Sequence, residues 1–236
     1  MPSVVEKLNA RRVSEKKAPL LDSGYHLSSE EFHDRYTQMP ENVRAELIEG
    51  IVYVASPIYM PHSGQHLFLA TLCGAYEFET PGILGAIAGS VRLDGSNEYQ
   101  PDLHLRIAPE CGGRTSNPDQ KLVLGGPEFV VEISNTTLGM DLHEKFEVYQ
   151  RDGVLEYLVW ELKEEVIELF SLQEGSFQKI KPDVKGVLKS ATMPGLWFNV
   201  PAILAGDKRA ALRTLREGLK SPEHTKFVKR LQGGGK

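Results

Sequence analysis

The chain has 236 residues, 41% hydrophobic and 25% charged, which excludes wholesale disorder and leaves enough length for one domain with extensions around a sizeable core. No apolar run is long enough for a bilayer span, MPSVVEKLNARR lacks a secretory core, and the distant Cys73 and Cys111 argue against a disulfide framework or a cysteine-zinc site, so a cytoplasmic protein is expected. The net charge of −5 is uneven: residues 206–236 hold nine Lys/Arg against three Asp/Glu, which leaves an acidic body that argues against a broad nucleic-acid-coating surface and suits a carboxylate-lined metal site.

Residues 1 to about 22 read as a polar, mobile leader. Serines before Glu30 and Glu31 signal a helix start. RAELIEGIVYVASP reads as two strands turning at Glu49-Gly50. After Pro57 and Pro61, HSGQHLFLATLCGAYEFE has helical spacing, with Leu67, Leu72 and Tyr76 as its apolar stripe, and Pro81-Gly82 ends it. A strand over 87–93, a turn at Asp94-Gly95 and the short strand PDLHLRI follow. CGGRTSNPDQ is a polar loop, and its Pro118-Asp119 pair reads as a turn. FVVEIS is a strand apolar enough to be buried on both faces, and 139–152 is a helix with Leu142, Phe146 and Tyr149 inward. EYLVWEL is a further strand, VIELFSL and SFQKIK form a hairpin around Glu174-Gly175, and VLKSATMPGLWFNV is a closing edge segment. A helix over 202–219 and a flexible QGGGK end complete a basic tail over 206–236 that most simply keeps the protein soluble and could touch phosphates. The mixture of helices and strands predicts an α/β or α+β fold.

Glu132 sits in the middle of the buried strand, where an unpaired carboxylate is costly. If the following helix folds back along the strand, Lys145 lies level with it and can extend its apolar stem along the core. Two further acids come from other strands: Asp102, just after Pro101 at the start of a strand, and Glu46 in RAELIEG. Proline at a strand start points to the rim of the sheet or to an edge strand. Three carboxylates beside one lysine would repel each other without a cation, and hard oxygen ligands suit Mg2+ or Mn2+.

The ordered set ELIEG, SPxxxPH, PDL, FVVEIS, Asp141…Lys145…Tyr149 and GVLEYLVW resembles the Uma-type restriction endonucleases, a branch of the PD-(D/E)XK nuclease superfamily, over roughly residues 28–200. The resemblance implies a restriction-endonuclease-like core over 23–205, a mixed β-sheet flanked by helices. It implies catalytic roles for Glu46, Asp102, Glu132 and Lys145, with Asp102, Glu132 and the backbone carbonyl of Ile133 as metal ligands, Glu46 as an additional acid, and His62 and Tyr149 in support. The superfamily's Glu-x-Lys is absent, since Ser134 stands at the lysine position. In the Uma-type branch the lysine moves to the following helix. Glu128, where relatives often carry Pro-Asp, is expected outside the site.

The implied activity is Mg2+-dependent hydrolysis of DNA by a homodimer, with no small-molecule cofactor and no membrane association. The alternatives are a catalytically silent module binding nucleic acid or protein, and a hydrolase of another phosphoester. His62 and His66 have ligand spacing on a helix, but the HExxH glutamate is missing, so a zinc role for the pair is not expected. His104 shares the strand face of Asp102 and reads as a neighbour of the site. Serine-hydrolase elbows and phosphate-binding glycine loops are absent from the sequence.

Overall fold

A computed structural model describes residues 21–40, 43–54, 60–118, 122–134 and 140–233. Most of the leader, Pro57, Asp119 and the last three residues lie outside them, as does the side chain of Leu142. Helix α1 (Ser29–Tyr36) starts where the Ser28 hydroxyl accepts the Glu31 N–H at 3.2 Å, and buries Phe32. Strands β1 (Ala45–Ile48) and β2 (Ile51–Val54) form the expected hairpin. Glu49 and Gly50, both at positive φ, supply the two-residue turn that matches strand twist.

Helix α2 (Met60–Glu79) leads to β3 (Ile83–Ile87), β4 (Val91–Arg92), β5 (Glu98–Tyr99) and β6 (Leu103–Ile107). After β7 (Val123–Leu124) and β8 (Phe129–Ser134), helix α3 (Met140–Arg151) crosses to β9 (Glu156–Glu161). The hairpin β10 (Val166–Gln173) and β11 (Ser176–Ile180) follows, then β12 (Val187–Lys189) and β13 (Trp197–Asn199). Three helices close the described chain: α4 (Val200–Leu204), α5 (Lys208–Leu219) and α6 (Pro222–Gln232).

The main sheet has the order β11-β10-β9-β8-β6-β3. All its pairs are antiparallel except β8–β9, the pair that α3 connects. A second sheet, β2-β1-β5-β4-β7, carries Glu46, and β12 and β13 pair by themselves. The fold is the expected mixed sheet flanked by helices.

Strand β8 is buried on both faces, as its composition demands. Phe129, Val131 and Ile133 enter the larger core with Phe68, Leu72 and Tyr76 of α2 and Leu215 and Phe227 of α5 and α6. Val130 faces a second core with Tyr149 and Val148 of α3, Tyr157 and Tyr99. Residues 206–233 thus include two helices that contribute side chains to the main core.

Four sequence expectations change. The predicted strand over 87–93 is divided: Ala88, at positive φ, turns the chain from β3 in one sheet to β4 in the other. Leu67 is 68% exposed, because the buried stripe of α2 runs through Phe68, Leu69, Leu72, Cys73 and Tyr76. The closing segment is a separate two-stranded sheet, with Phe198 stacked on Phe129 at 6.0 Å between ring centroids. The helix over 202–219 is split at Gly206, and Asp207 caps α5 by accepting the Ala210 N–H at 2.9 Å.

Candidate functional site

Strand β6 begins one residue after Asp102 and is interior to the sheet, so Pro101 marks the rim and not an edge strand. Antiparallel pairing of Leu103 with Val131 sets Asp102 beside the Glu132–Ile133 stretch. One carboxylate oxygen, Oδ2, accepts the Ile133 N–H at 2.8 Å and lies 3.2 Å from His62 Nε2. His66, one helical turn along α2, donates Nε2–H to the backbone carbonyl of Asp102 at 2.7 Å.

Glu132 projects from β8 toward α3. Its Oε1 accepts the Tyr149 hydroxyl at 2.8 Å and the Lys145 ammonium at 3.1 Å. Lys145 also reaches Glu46, at 3.1 Å to Oε1 and 3.0 Å to Oε2. Glu46 Oε1 is further held by the Gln100 N–H at 2.8 Å. The helix therefore folds back along β8, and one ammonium stands between carboxylates from two sheets. Lys145 and Tyr149, four residues apart, share the helix face that points at Glu132.

The charges are unevenly satisfied. Burial pushes the Glu132 carboxyl up to about 7, against the pull of Lys145, and the neighbouring Asp102 and Glu46 push the same way. Burial also opposes the charge on Lys145, but Glu132 and Glu46 outweigh it and raise its pKa above the ordinary lysine range. Burial alone would raise Asp102. The hydrogen bond and charge of His62, with the Ile133 N–H, hold it below its ordinary value. The bond to Asp102 raises His62 against the effect of burial, and the Ile133 backbone also contacts the ring. Each partner thus favours the charged form of the other.

Glu46 and Glu132 share Lys145, and Asp102 lies close enough to Glu132 to act on its charge, so the site is rich in hard oxygen donors. That chemistry fits a divalent cation held by Asp102, Glu132 and the Ile133 carbonyl. Among the described residues, His62, His66 and Asp102 are a His/Cys/Asp/Glu group whose ligand atoms all lie within 4.8 Å of one another.

His66 and Gln100 were not anticipated at the site. The His62–His66 spacing was the signal for the first, set aside for want of an HExxH motif; nothing marks Gln100 except its place before Pro101. Glu128 is outside the site: its carboxylate holds the Ile107 N–H at 2.9 Å and the Arg114 N–H at 3.2 Å. His104 is buried, its pKa lowered to about 4 by burial and by Arg106, and neither ring nitrogen has a hydrogen-bond partner among the described residues. The Asp141 side chain lies outside those described.

The family model described as "Uma2: Putative restriction endonuclease" matches residues 29–201, which include every one of these site residues. The chain belongs to the Uma2 family. A solved structure with the same fold is the crystal structure of "a putative nuclease belonging to DUF820" from Anabaena variabilis ATCC 29413. The TM-score is 0.58 at 13% identity, over 73% of the Uma2 chain and 96% of that one. No curated protein matches. All of α5 and α6 lies beyond the segment that the Uma2 model matches.

Proposed function

We propose that the protein is a Mg2+- or Mn2+-dependent DNA endonuclease whose catalytic residues are Glu46, Asp102, Glu132 and Lys145. The observation that carries this reading is that Lys145 joins Glu46 of β1 to Glu132 of β8, while Asp102, just before β6, adds its charge beside Glu132, giving more negative charge than Lys145 balances. Asp102, Glu132 and the Ile133 carbonyl would hold the ion, which supplies charge neutralisation at the phosphoryl group and a coordinated water of lowered pKa. Lys145 keeps its proton and acts as a cation: it orients the attacking water and offsets charge developing on the phosphoryl oxygens. Tyr149 fixes Glu132 through its hydroxyl, and His62 fixes Asp102. Glu46, anchored by the Gln100 N–H, holds the far side of the lysine.

A DNA substrate is supported by α5 and α6. Lys208, Arg209, Arg213, Arg216, Lys220, Lys226, Lys229 and Arg230 are all exposed, and none is in an ion pair among the described residues. Such a surface attracts phosphates. Lys208 lines a cavity with Gly64 and Leu67, on the helix that carries His62 and His66. Cutting both strands of a duplex calls for two sites related by two-fold symmetry, hence a homodimer. A DNA substrate also implies the cytoplasm.

The test is cleavage of plasmid DNA with Mg2+ or Mn2+. Asp102→Asn and Lys145→Ala should each lower the rate by about 100-fold or more. Unchanged cleavage in both variants would overturn the site assignment. The silent-module alternative draws on Lys145 being shared by two glutamates, as in a structural ion network. It gains if the wild type fails to cleave DNA with every divalent ion supplied.

A further inference from the structure

We propose that His62, His66 and Asp102 form a metal site that takes a transition-metal dication of the Mn2+, Co2+ and Zn2+ class more tightly than Mg2+. This deepens the metal-dependent reading above, on which it rests, by giving Asp102 of the oxygen site a second donor set that includes two imidazoles. The two histidines sit four residues apart near the start of the 20-residue α2, so a rigid helix presents both rings on one face, with centroids 5.9 Å apart. Asp102 comes from a different element and is already oriented by the Ile133 N–H. The three ligand atoms are mutually within 4.8 Å. Metal–ligand distances of about 2.0–2.2 Å put ligand atoms at most about 4.4 Å apart, so small side-chain rotations gather them round one ion.

Three further observations point to a ligand. His62 Nδ1 is buried with no hydrogen-bond partner among the described residues, while Nε2 of the same ring lies 3.2 Å from Asp102 Oδ2. The Ile133 backbone, whose carbonyl is the expected oxygen ligand, already contacts the His62 ring and supplies a fourth donor beside the triad. Glu132 lies outside this group, with Oε1 held by Lys145 and Tyr149, so Asp102 is the carboxylate that the histidine site shares with the oxygen site proposed above. Imidazole nitrogen suits Mn2+, Co2+ and Zn2+, whereas Mg2+ strongly prefers oxygen and releases its water reluctantly. Ser63 stands where HExxH sites carry a glutamate, and this has no bearing on ligation, because that glutamate serves as a base and not as a ligand.

The experiment titrates Co2+, Zn2+ and, in parallel, Mg2+ into the chelator-treated full-length protein without DNA. It reads heat by calorimetry and the visible absorption of bound Co2+. One Co2+ per chain should bind at least about 100-fold more tightly than Mg2+. His66→Ala should weaken Co2+ binding about 10- to 100-fold and alter its spectrum, with Mg2+ binding unchanged. His66→Gln keeps a donor for the Asp102 carbonyl but has no imidazole, and should lose Co2+ in the same way even if the alanine variant folds poorly. Co2+ binding no tighter than Mg2+, or equal in wild type and His66→Gln, overturns the site. Tight, His66-dependent Co2+ binding in a protein that never cuts DNA supports the site and sinks the nuclease reading. Cleavage with Mg2+ in a protein that binds Co2+ weakly does the reverse.

Discussion

Lys145 is buried and paired with two glutamates, so its removal tests what that pairing is worth to the fold. Lys145→Ala leaves Glu46 and Glu132 facing each other across a buried gap and should destabilise the fold by about 3–5 kcal/mol, read as a lower urea midpoint. A loss under about 1 kcal/mol would mean that the acids are neutralised in some other way. A second buried acid, Glu156, lies well away from this cluster in sequence partners. It accepts the Ser190 hydroxyl and the Ala191 N–H, the latter at 2.8 Å, yet burial still pushes it up to about 7 from an ordinary 4.5. The folded state therefore binds this proton more tightly than the unfolded chain. Its stabilising effect is complete below pH 4.5 and is lost as pH rises through about 7, on the order of 3 kcal/mol in all. Urea midpoints of Glu156→Gln should lack this fall between pH 4.5 and 7.5; parallel curves for the two proteins would count against it.

At the scale of the element, close approach can override helix preference. Gly218 lies within α5, where alanine would ordinarily gain about 1 kcal/mol. A Cβ there would stand 2.3 Å from the Gly195 carbonyl and 2.8 Å from the Trp197 ring, and the carbonyl is backbone that cannot swing aside. Overpacking of about 1–3 kcal/mol should win, so Gly218→Ala is expected to lower the melting temperature; a rise would show that α5 can shift outward. The same scale explains where periodicity misled. Leu67 has the right spacing for a buried stripe but falls one position off the face that α2 turns to the sheet. The strand over 87–93 has continuous strand character, and only the meeting of two sheets decides that it breaks at Ala88.

For the whole molecule the decisive feature is charge segregated on a fold. Seven of the eight exposed cations lie in α5 and α6 and Lys220 caps α5; both helices are anchored by Ala211, Leu215, Phe227 and Leu231 in the main core, so the charges are presented by rigid elements. DNA binding should therefore weaken steeply with salt. Replacing Arg209, Arg213 and Arg216 by alanine should reduce the slope of log affinity against log salt by about 3, close to one per lost phosphate contact. Filter binding between 50 and about 200 mM salt measures it; an unaltered slope would place the phosphate contacts elsewhere.

By itself the sequence determined the elements with strong local signals: the Ser28 cap, the Glu49-Gly50 hairpin, the doubly buried FVVEIS strand and the helix after it. It also determined that Glu132 needed a cation and that Lys145 was within reach, because strand rise and helix rise fix distances along a connected segment. Only the tertiary structure decided the company those residues keep. Glu46 meets Lys145 through the apposition of two sheets, and Asp102 meets His62 and His66 through the packing of α2 against β6 and β8. Such contacts join positions tens of residues apart, and their distances depend on how sheets and helices pack, which no local pattern encodes.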